Sequence, residues 1–365
     1  MLRFLNFFYF PFIAFLAVLQ LALGVGCIVA ACIGGFETAG TVVFWIFGIF
    51  FLLLFGTFLT PMYYFLTWEA PPEWRMDLKV TREEAPVLYD LMDDVARRCD
   101  LPIADQIHLS PVTDAAVYQT KKGRQVLLIG ALTVASFPAE VVAAIMAHEL
   151  AHIEGGDTEA LRNMMLTRRL MAITGAYYRV NPQGFLHPFV WAVFAYQLIF
   201  DIAFARTSRR WEYAADQASR RQAGERDTAL GLFYVHVTPL IDGCSLNDLL
   251  QTLARTQSFQ VKAFTEQVSI VRAASKKNWK KAMKTCLFHG TGVFDDHPCL
   301  KSRLRAIDVD PEEALDWALT MGGEPLSYQI KGWHELEKKL TIRVLAPYLE
   351  SIEVKKDIAA IIKAS

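Results

Sequence analysis

Cysteine is sparse in this sequence and none of it comes in close pairs. The six residues stand at 27, 32, 99, 244, 286 and 299 without a C-x-x-C arrangement. That pattern excludes a disulfide framework and predicts reduced, mostly buried thiols in a cytosol-facing protein. Long runs of positive charge are missing too, and the net charge is −1, so nucleic acid is excluded as a partner. No internal repeat and no low-complexity tract is present.

Charge of either sign is absent from two stretches, Phe4 to Gly34 and Thr41 to Leu66. Each exceeds the ~20 residues that cross a bilayer. The chain as a whole is 53% hydrophobic with a mean hydropathy of +0.25, above the globular norm. The first run is too long for a secretory signal, and a second follows after a short link, so residues 1–70 are expected to form a transmembrane hairpin with spans at about 8–34 and 41–66. The link 36–40 carries no Lys or Arg, whereas Arg3 precedes the hairpin and Arg75, Lys79 and Arg82 follow it. The positive-inside rule then puts both ends in the cytoplasm. Tyr63, Tyr64, Trp68 and Trp74 suit the interfacial belt at the exit.

Pro71-Pro72 marks the passage to a second domain, expected over 71–308. Apolar residues at helical spacing predict an amphipathic helix over 82–100. Strands are predicted at 106–109, 115–118 and 125–129, with Lys121-Lys122-Gly123-Arg124 as the turn between the last two. His108 is read as a strand histidine. An edge of this sheet is where an extended peptide can add as a further strand.

The stretch Ser136 to Asp157 reads as one helix, with Ser136 and Pro138 as start signals and Gly155-Gly156 as the stop. His148 and His152 lie four residues apart and project from one face about a turn apart. That spacing suits two ligands of a single zinc ion. Glu149, beside the first histidine, can reach a metal-bound water without binding the metal. A catalytic site needs a third ligand and an open position. Glu212 and Asp216 share a helical face: Glu212 can complete a His₂Glu set, and Asp216 can accept the second ring N–H of a ligand histidine. The alternative is a solvated acidic face paired with Arg209 and Arg210.

His148-Glu149-Leu150-Ala151-His152 with Asp157, then Arg210-Trp211-Glu212-Tyr213-Ala214-Ala215-Asp216, then Asp296-His297-Pro298 with Arg303, resembles the membrane gluzincin peptidases. That group includes the HtpX-like heat-shock proteases and the CAAX prenyl proteases, and the resemblance covers roughly residues 75–308. It implies a mainly α fold with a small β-sheet, an N-terminal hairpin followed by a zincin-type metallopeptidase domain. It implies a Zn²⁺ cofactor held by His148, His152 and Glu212, with Glu149 as general base. Asp216 is implied as a supporting partner, His297 as a stabiliser of the tetrahedral intermediate, and Arg303 nearby; Asp157 is the next candidate ligand. The partners implied are a peptide or protein substrate, membrane proteins among them, and the lipid bilayer. The location implied is a bacterial inner membrane with the catalytic domain facing the cytoplasm. Two rivals are a CAAX-type prenyl-peptide protease and a non-proteolytic membrane scaffold with a vestigial metal site. One departure is Asp114-Ala115-Ala116-Val117, where the family carries an Asn-Ala-Phe-Ala-like run.

Residues 184–205 are apolar and long enough to span, yet His152 and Glu212 must reach the same metal. Crossings between them must be even in number, so 184–205 is expected to be a helix buried against the domain or a re-entrant segment bent at Pro188. A four-span arrangement would require 157–183, with Arg162, Arg168, Arg169 and Arg179, to cross, and is disfavoured. Further helices are expected over 226–290. Five lysines between 276 and 284 surround Trp279 and read by default as a solvated face, with anionic headgroups as the alternative. Residues 309–365 are expected to be a small helical extension.

Overall fold

The computed structural model describes residues 1–34, 39–67, 77–111, 115–120, 122–154, 157–180, 188–241 and 263–349. The fold is mainly α with one small sheet. The chain forms two compact units, 1–70 with 160–207, and 71–159 with 208–365. The expected 71–308 domain is therefore interrupted in sequence: residues 160–207 belong with the N-terminal hairpin.

In the first unit, helices α1 (Leu2–Gly34) and α2 (Ala39–Thr67) coincide with the two uncharged runs. Two glycines set how closely they pack. A Cβ on Gly48 would lie 2.6 Å from Ile28 Cγ1, and one on Gly24 would lie 3.0 Å from Leu52 Cδ2. Small residues at such a crossing let two backbones approach. Buried Gln20 donates from Nε2 to the Phe51 carbonyl at 3.4 Å, so its amide is used across the hairpin. The link at 36–38 and the aromatic belt residues Trp68 and Trp74 lie outside the described residues.

The first unit also holds α6 (Asp157–Val180) from residue 160 on and the start of α7 (Pro188–Val237), itself a pair of consecutive helices broken at Gly224, where φ is 82°. Residues 188–205 form unbroken helix, without the bend and return of a re-entrant segment; Pro188 is the first helical residue, where its missing N–H costs nothing. The segment packs on α1: Tyr196 stacks on Phe12 at 4.9 Å and Val193 is buried with Leu16. Arg168 of α6 pairs with Asp201 at 3.6 Å and lies over the Phe204 ring at 4.4 Å. Among the described residues, Leu2–Gly34 and Val190–Leu240 are long and apolar enough to cross a membrane.

The second unit is built on a four-stranded sheet: β1 (Leu78–Val80), β2 (Gln106–Ser110), β3 (Ala115–Gln119) and β4 (Gln125–Gly130). Its order is β1-β2-β4-β3, with β2 parallel to β4 and both outer strands antiparallel. The turn before β4 uses Gly123 at φ 80°. Alternation places Ile107 and Leu109, Leu127 and Ile129 in the core. Helix α3 (Pro86–Cys99) packs there through Leu88, Met92 and Val95, which recur at helical spacing.

Helices α4 (Ala131–Ser136) and α5 (Ala139–Glu154) follow the last strand. Ser136 does not start the helix of His148 and His152 as expected. It ends α4, and the chain turns at Phe137 before α5 begins, with Val142 N–H donating to the Pro138 carbonyl. Pro138 is thus the start signal that operates. The described part of the tail is helical, and it packs into the second unit. Helices α8 (Ala263–Ala273), α9 (Lys276–Phe288), α10 (Leu300–Ala306), α11 (Pro311–Thr320) and α12 (Trp333–Leu349) lie in the second unit, and Leu315, Leu326, Leu336, Leu340 and Val344 join Leu109 and Met146 in one core. Apolar residues at i, i+4, i+8 in α12 bury a face that would otherwise meet water.

The five described cysteines are free thiols. Four are half-buried and Cys32, on α1, is exposed, so they are less enclosed than expected.

Candidate metal centre

Helix α5 presents His148 and His152 one turn apart, their ring centroids 5.0 Å apart and nearly perpendicular. Helix α7 is seated against it by Ser219, whose Oγ donates to the Ala144 carbonyl at 2.8 Å. Gly231 brings the later part of α7 equally close, since a Cβ there would lie 3.1 Å from Ile145 Cγ1. Between these two elements Glu212 meets both histidines, with Oε2 at 3.5 Å from His148 Nε2 and Oε1 at 3.8 Å from His152 Nε2. One donor atom from each of the three residues lies within 4.8 Å of the others. Zinc ligands at about 2.0–2.2 Å in a tetrahedron stand roughly 3.3 Å apart, a little closer than the 3.5 and 3.8 Å contacts of Glu212.

Asp216, one turn after Glu212 and fully buried, places Oδ1 3.1 Å from His148 Nδ1. That contact makes Nδ1 the proton-bearing nitrogen and turns Nε2 toward Glu212. Arg303 on α10 is buried as well. Its Nε and Nη2 fork onto Asp216 at 2.9 and 2.6 Å, and its Nη1 lies 3.0 Å from Glu212 Oε2. Its Nη2 also stands 3.3 Å from His148 Nε2. His297 brings Nδ1 to 2.9 Å from Glu212 Oε1, on a side chain that is 66% exposed. Glu149 is buried and adds to the field that raises the Arg303 pKa.

The charges explain what the cage wants. Burial would raise Glu212, but hydrogen bonds from His148 and His297 and the Arg303 charge hold it well below the carboxylate range. Asp216 is depressed in the same way, its burial outweighed by His148 and Arg303. Burial would likewise strip the proton from His148, yet Asp216 and Glu212 push its pKa up to about 10. His152, lacking such a pair, is pushed down to about 4 by burial and by the His148 charge. Two ionised carboxylates face one arginine, and the remaining negative charge draws a proton onto an imidazole. The donor set therefore fits a divalent cation, and its nitrogen–oxygen composition suits zinc.

The acidic residues of α7 are buried and matched by Arg303, so the reading of a solvated face paired with Arg209 and Arg210 does not hold. Arg209 instead donates from Nη1 to the Gly292 and Asp295 carbonyls at 3.3 and 2.8 Å. The loop it grips is closed on itself, Gly292 N–H donating to Asp295 Oδ2 and Cys299 N–H to Thr291 Oγ1. Arg209 so ties the His297 loop to the helix that carries Glu212. Sequence reasoning missed this role, because an arginine bonded to main-chain carbonyls leaves no partner residue to find. The side chain of Asp157, the first residue of α6, lies outside the described residues.

The sequence model of Peptidase family M48 matches residues 83–310, more than half of the chain. The chain belongs to peptidase family M48. Every residue of the cage lies inside that match. M48 peptidases are zinc-dependent, in keeping with the donor set. The chain is also similar to a protein named Protease HtpX homolog from Chlorobium phaeobacteroides (strain BS1), 22% identical over 240 residues, 60% of this chain and 68% of that protein. An HtpX-like M48 peptidase matches the family expectation from the sequence.

Proposed function

We propose that this M48 peptidase is a membrane-bound zinc endopeptidase that hydrolyses membrane or misfolded proteins. The observation that carries the reading is the convergence of His148, His152 and Glu212 within 4.8 Å, with Asp216 behind His148. His148 and His152 would hold zinc through Nε2 and Glu212 through a carboxylate oxygen. Zinc, when bound, polarises the scissile carbonyl and lowers the pKa of water toward ~7. Asp216 Oδ1 keeps the proton on His148 Nδ1, which fixes the ring orientation. Glu149 accepts the proton of the attacking water on a carboxylate oxygen and returns it to the leaving amine. His297 donates a hydrogen bond to the carbonyl oxygen as negative charge develops there. Strand β3 is an outer strand of the sheet, available to hold an extended substrate by main-chain pairing. The two uncharged helices anchor the chain in a bacterial inner membrane, with the catalytic unit at the cytoplasmic face by the positive-inside rule.

The test is to incubate the purified full-length protein in detergent with an unfolded membrane protein, with and without a chelator. Cleavage that stops with chelator and returns with zinc is expected, and is absent in Glu149→Gln. Cleavage indifferent to chelation overturns the reading, and zinc binding without any cleavage points to a scaffold.

A further inference from the structure

The lysines of α9 do not serve the helix they sit on. Lys276, Lys277, Lys280, Lys281 and Lys284 occupy two adjoining stripes and, with Thr285, line one open depression. Lysines in the first turn oppose the helix dipole, and no acidic residue occupies that turn to offset them. Repeats at i, i+4 place like charges one above another. Lys276 pairs with Asp316 at 3.4 Å. The opposite face is buried through Trp279, Ala282 and Met283, so the lysine face is held outward. A face merely kept in water has no need of this density of one sign.

Apolar residues continue the same surface. Phe288 follows Lys276, Lys280 and Lys284 on their stripe and is 88% exposed. Val293 and Phe294, on the loop that follows, are 57% and 54% exposed. A basic helix face running into exposed aromatic side chains is the pattern of an interfacial anchor, in which lysines meet headgroup phosphates and rings enter the acyl boundary.

We infer that Lys276–Phe294 docks on an anionic phospholipid surface, with the lysine stripes on the phosphates and Phe288, Val293 and Phe294 in the interface. The inference rests on the proposed membrane location of the peptidase. It also places the bilayer beside the catalytic loop, because Phe294 is three residues from His297 on the loop that Arg209 holds.

The full-length protein is reconstituted in nanodiscs of phosphatidylcholine alone and of phosphatidylcholine mixed with phosphatidylglycerol. Acetylation of Lys277, Lys280 and Lys284 by a water-soluble acylating reagent is followed by mass spectrometry. Acetylation is expected to slow about fivefold in the anionic discs. In Lys280→Glu/Lys284→Glu, Lys277 should lose that protection, and Phe288→Ser/Phe294→Ser should weaken it. Equal rates in the two kinds of disc overturn the inference. So does a rise in KM for a soluble peptide in Phe288→Ser/Phe294→Ser that is the same in both discs, which assigns the surface to substrate. Lysine protection without cleavage in either disc leaves the docking intact and fails the peptidase reading instead, so the two are separable.

Discussion

At Arg303, three nitrogens face two carboxylates that burial has removed from water. Removing one partner from such a cluster leaves the others charged and unmatched, which costs about 3–5 kcal/mol. Arg303→Ala is therefore expected to lose roughly that much in denaturant unfolding, and Arg303→Lys to recover only part, since an ammonium cannot fork onto Asp216. A loss under ~1 kcal/mol in the alanine variant speaks against the network. The neighbouring residues divide by what they touch. Glu212→Ala should lose zinc, whereas Asp216→Ala should weaken affinity about 10–100-fold, because Asp216 orients His148 without holding the metal itself. Metal analysis separates the two, and full occupancy in the Glu212 variant moves the third ligand elsewhere. Glu149→Gln should keep zinc and lose about 100-fold or more in kcat, since an amide cannot accept the proton. The pairs His148/His152 and Glu212/Asp216 were legible because helical spacing brings i and i+4 together whatever the tertiary fold. The grip of Arg303 on Asp216 spans 87 residues, and no local pattern announces it.

Among the elements, the strands were legible to within a residue because alternation has a single reading on a half-buried sheet. Strand β1 was missed, being three residues defined only by its pairing with β2. The helix carrying His148 was legible in its length and misread at its start, since Ser136 is buried at the end of α4 where no N-terminus exists to cap. In the tail, Leu336 and Leu340 stood out among alternating charges, and with Val344 they form the buried stripe of α12. Leu340→Ala is accordingly expected to destabilise the protein by about 2–5 kcal/mol, a core penalty. Calorimetry giving an unchanged unfolding temperature contradicts the placement. Arg209 belongs to this scale too, since it joins a loop to a helix. In Arg209→Ala, kcat should fall roughly 10–100-fold with zinc content unchanged, and Arg209→Lys should rescue part of it. A change in KM alone contradicts a role for Arg209 in positioning His297.

For the whole molecule, the two units interleave in sequence: the chain leaves the peptidase unit after residue 159 and re-enters it at 208. Uncharged runs revealed the hairpin, but the membership of α6 was hidden by its arginines, one of which, Arg168, is matched by Asp201. Because His152 and Glu212 share one cage, positions before α6 and after its return must face one compartment. Cysteine at Thr38 should react with an impermeant thiol reagent added outside cells, while cysteines at Asp157 and Ser208 should react only after the membrane is opened. Labelling of Asp157 and Ser208 from opposite sides contradicts that topology. The central claim, a single zinc on two histidines and one glutamate, is tested most directly by X-ray absorption at the zinc edge of the purified protein. Two imidazole nitrogens at about 2.0–2.1 Å and light oxygen scatterers at about 2.0–2.2 Å are predicted, vanishing together in Glu212→Ala. Sulfur scattering near ~2.3 Å, or a spectrum that Glu212→Ala leaves unchanged, contradicts it.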